Sequence, residues 1–196
     1  MYTTTFTLKG ISPYAQSAPY ADPPKMAKES SAAYEKRTWR QRMRATDLGY
    51  VFISQMAFKN MLSSIAKYLG EQIPGKGKST FTKHFESGIF VSDSMVLDAK
   101  KDEVPGEWFY LPSDGMRGGA KRVWKCFGII HKWGGNCVVT VLDDVITPSV
   151  LVHHAEEAGK FIGLGWFRPE RNGYFGRFRV EAVDGVPLDE WRGQNQ

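Results

Sequence analysis

An α+β fold with a ferredoxin-like core, one antiparallel sheet covered on one face by two helices, is what this 196-residue sequence predicts. Three observations carry the prediction. Residues 54–69 and 148–162 each present one apolar stripe at helical spacing, so each helix needs a single surface to cover. Residues 3–9, 89–97, 136–142 and 174–183 read as strands, rich in β-branched and aromatic side chains. Stripped of the remaining segments, the order is strand, helix, strand, strand, helix, strand, which is the split βαβ pattern. The chain is read as one domain over 1–196, with insertions at 10–53 and 70–132 and a tail at 184–196.

The first strand, Thr3 to Lys9, runs up to Gly10. Residues 11–31 hold Pro13, Pro19, Pro23 and Pro24 among small polar residues, which excludes regular structure and leaves a loop or an arm. Residues 34–43 (YEKRTWRQRM) alternate imperfectly. They are read with Tyr50 to Ile53 as a basic β-hairpin, with Arg40 and Arg42 on one face and Trp39 on the other. Ser54 is placed as the cap of a helix that ends at Gly70, with Phe58, Met61, Leu62, Ile65 and Leu69 along its stripe.

Ile89 to Leu97 is a strand interrupted at Ser92 to Ser94, and Trp108 to Leu111 a short apolar strand. Residues 123–132 and 136–142 read as consecutive strands joined around Trp133-Gly134-Gly135. Thr147 caps a second helix with Pro148 at its first position; Leu151, Ala155, Ala158 and Ile162 share a face, and Gly159 implies close packing. Tyr174 to Val183 is the last strand, and Trp191 sits in a polar tail.

An apolar fraction of 42% with 13% aromatic residues excludes wholesale disorder. The net charge of +5 is compatible with phosphate binding without requiring it. Cys126 and Cys137 fit no zinc spacing and no disulfide scaffold, and are expected as buried thiols, with a pairing across adjacent strands open on paper. No apolar run approaches the length of a membrane span, and the first residues lack a basic region and an apolar core. A soluble, cytoplasmic protein without a membrane partner is expected.

The densest chemistry lies in Gly163-Leu164-Gly165-Trp166-Phe167-Arg168-Pro169-Glu170-Arg171-Asn172-Gly173-Tyr174-Phe175-Gly176-Arg177-Phe178-Arg179. Glycine permits positive φ and close backbone approach, arginine forks onto phosphate, and aromatic faces accept stacked bases. Arg168, Arg171, Arg177 and Arg179 are the phosphate candidates, and Trp166, Tyr174 and Phe175 the stacking candidates, against the alternative that some aromatics are core. Lys76 and Lys78, in Gly75-Lys76-Gly77-Lys78-Ser79-Thr80, form a second basic glycine-rich site before a short helix starting near Ser79. It is not a nucleotide triphosphate loop, because Ile73 stands where the motif needs a glycine and a helix precedes it. Arg117, Lys121 and Arg122 form a third such site, and Arg40 and Arg42 are secondary candidates.

Acid–base chemistry has thinner support. His84 is the one candidate general base, with an ordinary surface histidine as its alternative. His153 and His154 lack the spacing of a zinc protease helix, and Asp143 and Asp144 lack further ligands nearby. No metal centre and no cofactor is expected, and the chain is read as non-catalytic.

The core order, the segment VFISQMAFKNMLSSIAKYL, the long insertion after the first strand and the loop GLGWFRPERNGYFGRF before the last strand resemble the RNA-recognition-fold (RRM-like, RAMP-like) superfamily of CRISPR effector backbone subunits. In that family the insertion forms a protruding thumb. Ser54-Gln55 departs from the proline often found there, and the chain is shorter than the usual subunit. The resemblance implies binding of single-stranded RNA or DNA with weak sequence preference, self-assembly or membership of a larger assembly, and no catalysis. Three alternatives stay open: a phage protein acting on single-stranded DNA, a phage structural or protein-interaction protein (including a mimic or inhibitor of CRISPR machinery), and a metal-independent ribonuclease using His84.

Overall fold

The computed structural model describes residues 1–113 and 121–195. Its main sheet contains β1 (Tyr2–Gly10), β4 (Ile89–Val91), β8 (Gly134–Val141), β9 (Phe178–Val183) and β10 (Val186–Pro187), in the order β10-β9-β1-β8-β4 and antiparallel throughout. Helices α2 (Gln55–Leu69) and α4 (Pro148–Phe161) pack on one face of it. Phe58, Met61, Leu62 and Ile65 of α2 are buried with Leu151, Ala155 and Ala158 of α4 and with Phe6, Leu8, Val139 and Val180 of the sheet. This is the ferredoxin-like α+β fold that the two stripes and the strand order predict.

Local chemistry sets the element ends. Gly70 closes α2 in the left-handed region at φ 59°. The Thr147 hydroxyl accepts from the Val150 amide at 3.4 Å and Pro148 opens α4. A Cβ at Gly159 would sit 2.3 Å from the Phe178 carbonyl oxygen, so only glycine lets α4 lie this close to β9. The outer face of the sheet is a polar ladder: Thr3 bonds Thr140 at 3.1 Å and Thr7 bonds Asn136 at 3.1 Å.

The insertions build two smaller sheets. Strand β3 (Tyr50–Ile53) pairs with β5 (Met95–Lys100), so residues 89–97 serve two sheets, and the break at Ser92 to Ser94 is the crossing point. Strands β6 (Gly106–Pro112) and β7 (Arg122–Ile130) form a long hairpin, with β2 (Tyr14–Ala15) on the outer side of β7 only at Ile129 and Ile130. Consecutive β7 and β8 therefore belong to different sheets, and the buried thiols of Cys126 and Cys137 lie in separate ones. Burial pushes Cys126 up to about 11 and Cys137 up to about 12, so both stay protonated at neutral pH.

Residues 34–43 are not a strand of a basic hairpin. They form α1 (Ser31–Thr38), capped by the Ser30 hydroxyl on the Ala33 amide at 3.1 Å, and then a 3₁₀ turn, Trp39–Arg42. The reason is Glu35. It lies 2% exposed against the edge of β7 that β2 leaves open, where its carboxylate accepts the Cys126 amide at 2.9 Å. Arg42 pairs with Glu35 at 2.5 Å and donates to the Cys126 carbonyl at 3.0 Å, and Lys125 reaches Glu35 at 3.1 Å. Two side chains thus satisfy both backbone groups of an unpaired strand edge. The last strand starts at Phe178, not Tyr174, and the tail folds as α5 (Leu188–Gln194), with Trp191 buried in the core cluster.

His154 is fully buried on α4, stacked on Phe85 at 4.4 Å; its Nδ1 bonds the Val150 carbonyl while Nε2 has no partner. Desolvation pushes its pKa below the ordinary 6.5, against the raising influence of the Val150 carbonyl and Glu71 and with a small lowering one from His153. The unfolded chain therefore binds a proton more readily than the folded one. Stability supplied by neutral His154 is complete above about pH 6.5 and is lost as pH falls from there toward the lowered folded value. We expect the thermal midpoint to drop between pH 7 and 5, and His154→Phe to flatten part of that drop; equal slopes for the two proteins would refute the assignment.

Candidate nucleic-acid interface

The glycine-rich segment folds as a loop lashed to the residues that follow β1. The Trp166 amide donates to the Ala15 carbonyl at 2.7 Å, the Gly176 amide to Pro13 at 2.8 Å and the Ile11 amide to Arg177 at 2.8 Å. Within the loop, the Leu164 amide reaches Gly176 at 3.0 Å and the Phe175 amide reaches Phe167 at 3.1 Å. Gly163, Gly165 and Gly176 all have positive φ. At Gly176, φ is 77° and a Cβ would lie 1.7 Å from the Leu164 carbonyl oxygen. The glycines are there for the loop's own closure.

This loop forms one wall of a groove of about 550 Å³. The opposite wall is the N-terminal turn of α2, with Ser54, Met56, Ala57 and Asn60; Gln16, Ser17 and Arg44 complete the lining. Arg44, Arg168 and Arg171 line it, and among the described residues no carboxylate does, although Glu170 pairs with Arg168 beside it. The Ser54 hydroxyl makes no cap bond, so the amide end of a fifteen-residue helix opens toward the groove without a side-chain acceptor. Three guanidinium groups and a helix amide end suit a polyanion.

The predicted residues divide. Arg168 and Arg171 line the groove, although Arg168 also pairs with Glu170 and donates to the Gly165 carbonyl at 3.3 Å. Arg177 is half-buried, with its guanidinium on the Tyr174 carbonyl. Arg179 points from β9 onto the outer sheet face, paired with Glu181 at 2.8 Å beside Lys9. Tyr174 is exposed. Phe175 is not a free stacking face but is buried, whereas Trp166 is partly buried, stacked on Phe127 at 3.7 Å and an interplanar angle of 9°, and also lines the groove. Both fasten the loop to the β6–β7 hairpin.

Arg40 and Arg42 are structural as well. Arg40 donates to the Lys101 and Val104 carbonyls at 2.7 and 2.9 Å, and Arg42 belongs to the Glu35 pair. Lys76 and Lys78 sit beyond the C-terminus of α2, a helix about 22 Å long by its fifteen residues, so they do not join the groove at its other end. The amides of Lys76 and Ser79 are spent on the turn itself, and the short helix α3 begins at Thr82 (Thr82–Ser87). Lys121 and Arg122 are exposed on the outer part of the hairpin, and Arg117 lies outside the described residues. His84, on α3, pairs with Asp143 at the opposite end of the sheet.

Sequence reasoning missed Arg44, Asn60 and Gln16. They come from three separate segments, and only the Ser54 cap at the start of α2 marked their meeting place. It also missed that Trp108, Tyr110 and Trp124 stand 42%, 51% and 56% exposed on one face of the hairpin, where Tyr110 pairs across strands with Trp124. An apolar run of four, Trp108 to Leu111, concealed an alternation in which only Phe109 and Leu111 turn inward.

No protein-family model matches this chain, and no curated protein matches it in sequence. Solved structures do match in fold. A chain in a cryo-EM structure of the type III-B Cmr-beta bound to cognate target RNA is 12% identical with a TM-score of 0.56, over 94% of this chain and 60% of that one. This protein therefore spans less than two thirds of the length of that relative. Cmr6 from Pyrococcus furiosus is 13% identical with a TM-score of 0.49, over 91% of this chain and 98% of that one. A CRISPR RNA-guided surveillance complex contains a chain 8% identical with a TM-score of 0.40, over 93% of this chain and 68% of that one. At such identities the likeness to the first of these is one of fold, in keeping with the ferredoxin-like α+β arrangement described above. Among the described residues no helix is long and apolar enough to cross a membrane.

Proposed function

We propose that this protein binds single-stranded RNA along the groove between its glycine-rich loop and the start of α2, as one subunit of a larger ribonucleoprotein assembly. The observation that carries the reading is the groove's lining: Arg44 and Arg171, Arg168 in its pair with Glu170, and the amide end of a long helix. The fold shared with a chain of an RNA-bound Cmr-beta complex supports it. Phosphate contacts dominate the lining and base-edge readers are few, so sequence preference is weak. Tyr174 and Phe167, exposed at the loop's surface, provide stacking faces near the arginines.

The test is fluorescence anisotropy with labelled single-stranded RNA, single-stranded DNA and duplex DNA across a salt series. Replacing Arg44 and Arg171 together by alanine should weaken RNA binding by about tenfold or more, and lower the slope of log K against log salt by about 1.4, the value for two lost phosphate contacts on a single strand. Unchanged affinity and slope would remove the groove as the site. A preference for DNA would keep the groove and change the polymer.

A further inference from the structure

One residue of the groove wall sits in a backbone conformation that its own side chain opposes. Phe167 has φ 48°, in the left-handed region where a bulky L-residue is an outlier. Asn172 of the same loop shares that region, but its short amide tolerates it. At Gly163, Gly165 and Gly176, the loop's other left-handed positions, the chain uses glycine. The conformation at Phe167 is imposed from both sides. The Trp166 amide is tied to the Ala15 carbonyl at 2.7 Å, and the Phe167 carbonyl accepts the Phe175 amide at 3.1 Å. Glycine would suit that backbone better, so the ring is what phenylalanine adds.

The ring does not serve the core. Phe167 is 47% exposed and stands outside both buried clusters. Its aromatic neighbour is Trp166, at 5.5 Å and tilted by 36°, and Trp166 is in turn backed by Phe127. Both rings of this pair line the groove. On the opposite wall α2 presents Met56, 58% exposed, and Asn60 one turn further along the same face. Asn60 is exposed, and among the described residues its carboxamide has no protein partner. Beside its arginines the groove therefore offers an aromatic ring, a thioether and one free donor–acceptor pair. Its volume of about 550 Å³ falls among pockets that enclose small organic molecules, about 300–1,000 Å³. A channel for phosphates alone needs none of these three groups.

We propose that the groove contains a subsite for a single base of the bound strand, and that this base is adenine. The base stacks on Phe167, with the adaptable Met56 side chain against its other face. Asn60 Nδ2 donates to N7, and Asn60 Oδ1 accepts from the 6-amino group. On that edge guanine presents two acceptors, cytosine only a donor and uracil only an acceptor, so adenine alone satisfies both ends of the carboxamide. Neighbouring phosphates fall to Arg44 and Arg171. Selectivity is thus confined to one nucleotide of a strand held elsewhere by its backbone. The inference rests on the groove being the RNA site.

The test uses labelled fifteen-nucleotide RNAs, (UUA)5, (UUG)5, (UUC)5 and U15, whose three-base repeat places the variable base in the subsite whatever the register. Labelled inorganic polyphosphate serves as a polyanion without bases. Wild type should bind (UUA)5 about tenfold more tightly than U15, the discrimination of one bidentate pair. Asn60→Ala should erase that preference. Phe167→Gly should weaken (UUA)5 binding by about fivefold or more, with no matching loss for polyphosphate and no fall in the thermal midpoint. A phenylalanine kept for packing would behave in the opposite way, lowering the midpoint and leaving RNA affinity intact. Equal affinity for (UUA)5 and U15, a preference that survives Asn60→Ala, or a preference for (UUG)5 would each overturn the adenine subsite. If RNA binding is lost in the Arg44 and Arg171 double variant while the repeats bind equally, the groove stands and the subsite falls. If binding ignores those arginines, both fall.

Discussion

Glu35→Ala is expected to destabilise the fold by about 3–5 kcal/mol, the range for removing one partner of a buried ion pair. The loss has two physical sources. Arg42, with only 11% of its side chain exposed, is left without its carboxylate, and the Cys126 amide is left without an acceptor on the stretch of the β7 edge that β2 does not reach. Burial raises the Glu35 pKa, but Arg42, the Cys126 amide and Lys125 together outweigh it, and the carboxyl ends below its ordinary value. Its contribution is present above the unfolded value of about 4.5 and is lost as pH falls through the lowered folded value. Urea unfolding of wild type and variant at neutral pH measures the difference. Glu35→Gln, which keeps an acceptor for Cys126, should fall between the two. A cost below about 1 kcal/mol for the alanine variant would mean that water seals the edge as well as Glu35 does.

Gly176→Ala is the second large effect. At φ 77° the alanine carries left-handed strain of about 1–2 kcal/mol. Its Cβ also overlaps the Leu164 carbonyl, a backbone atom that cannot swing aside as a side chain would, adding about 1–3 kcal/mol of overpacking. Together the expected cost is about 2–5 kcal/mol, unless the loop opens to relieve it. Either result has a readout. A closed loop lowers the unfolding midpoint, whereas an opened one uncouples Trp166 from Phe127, changing tryptophan fluorescence and weakening the RNA binding proposed for the groove. A variant matching wild type in midpoint, fluorescence and affinity would show that the loop is not the rigid wall described here.

Much of the core was legible because periodicity reports it directly. The stripes on α2 and α4, Gly70 and Pro148 at helix ends, and the buried alternation of Phe6 and Leu8 all follow from local rules. Residues 34–43 were not legible in this way. Glu35 looks like a surface acid until β7 arrives ninety residues later with an open edge, and only that tertiary contact explains a helix whose inward face is charged. The burial of Phe175 and the stacking of Trp166 were hidden for the same reason, since nothing local says that Phe127 and Phe109 will meet them. In the groove, Arg168 and Arg171 were found because they cluster in one loop. Arg44 and Asn60 were missed because a wall assembled from separate segments has no short sequence sign.

The order in which the protein can become functional follows from the place of β1. Tyr2–Gly10 lies in the middle of the main sheet, hydrogen-bonded to β8 on one side and to β9 on the other, and residues 11–16 directly after it carry the glycine-rich loop. Strand β1 must therefore wait for β8 and β9, far later in the chain, before its edges are covered. A nascent chain has no complete groove until residues beyond Arg177 have emerged. The groove is thus withheld during synthesis, whatever it comes to hold. The same topology places long-range pairing late in folding, which makes slow maturation the kinetic counterpart of that restraint.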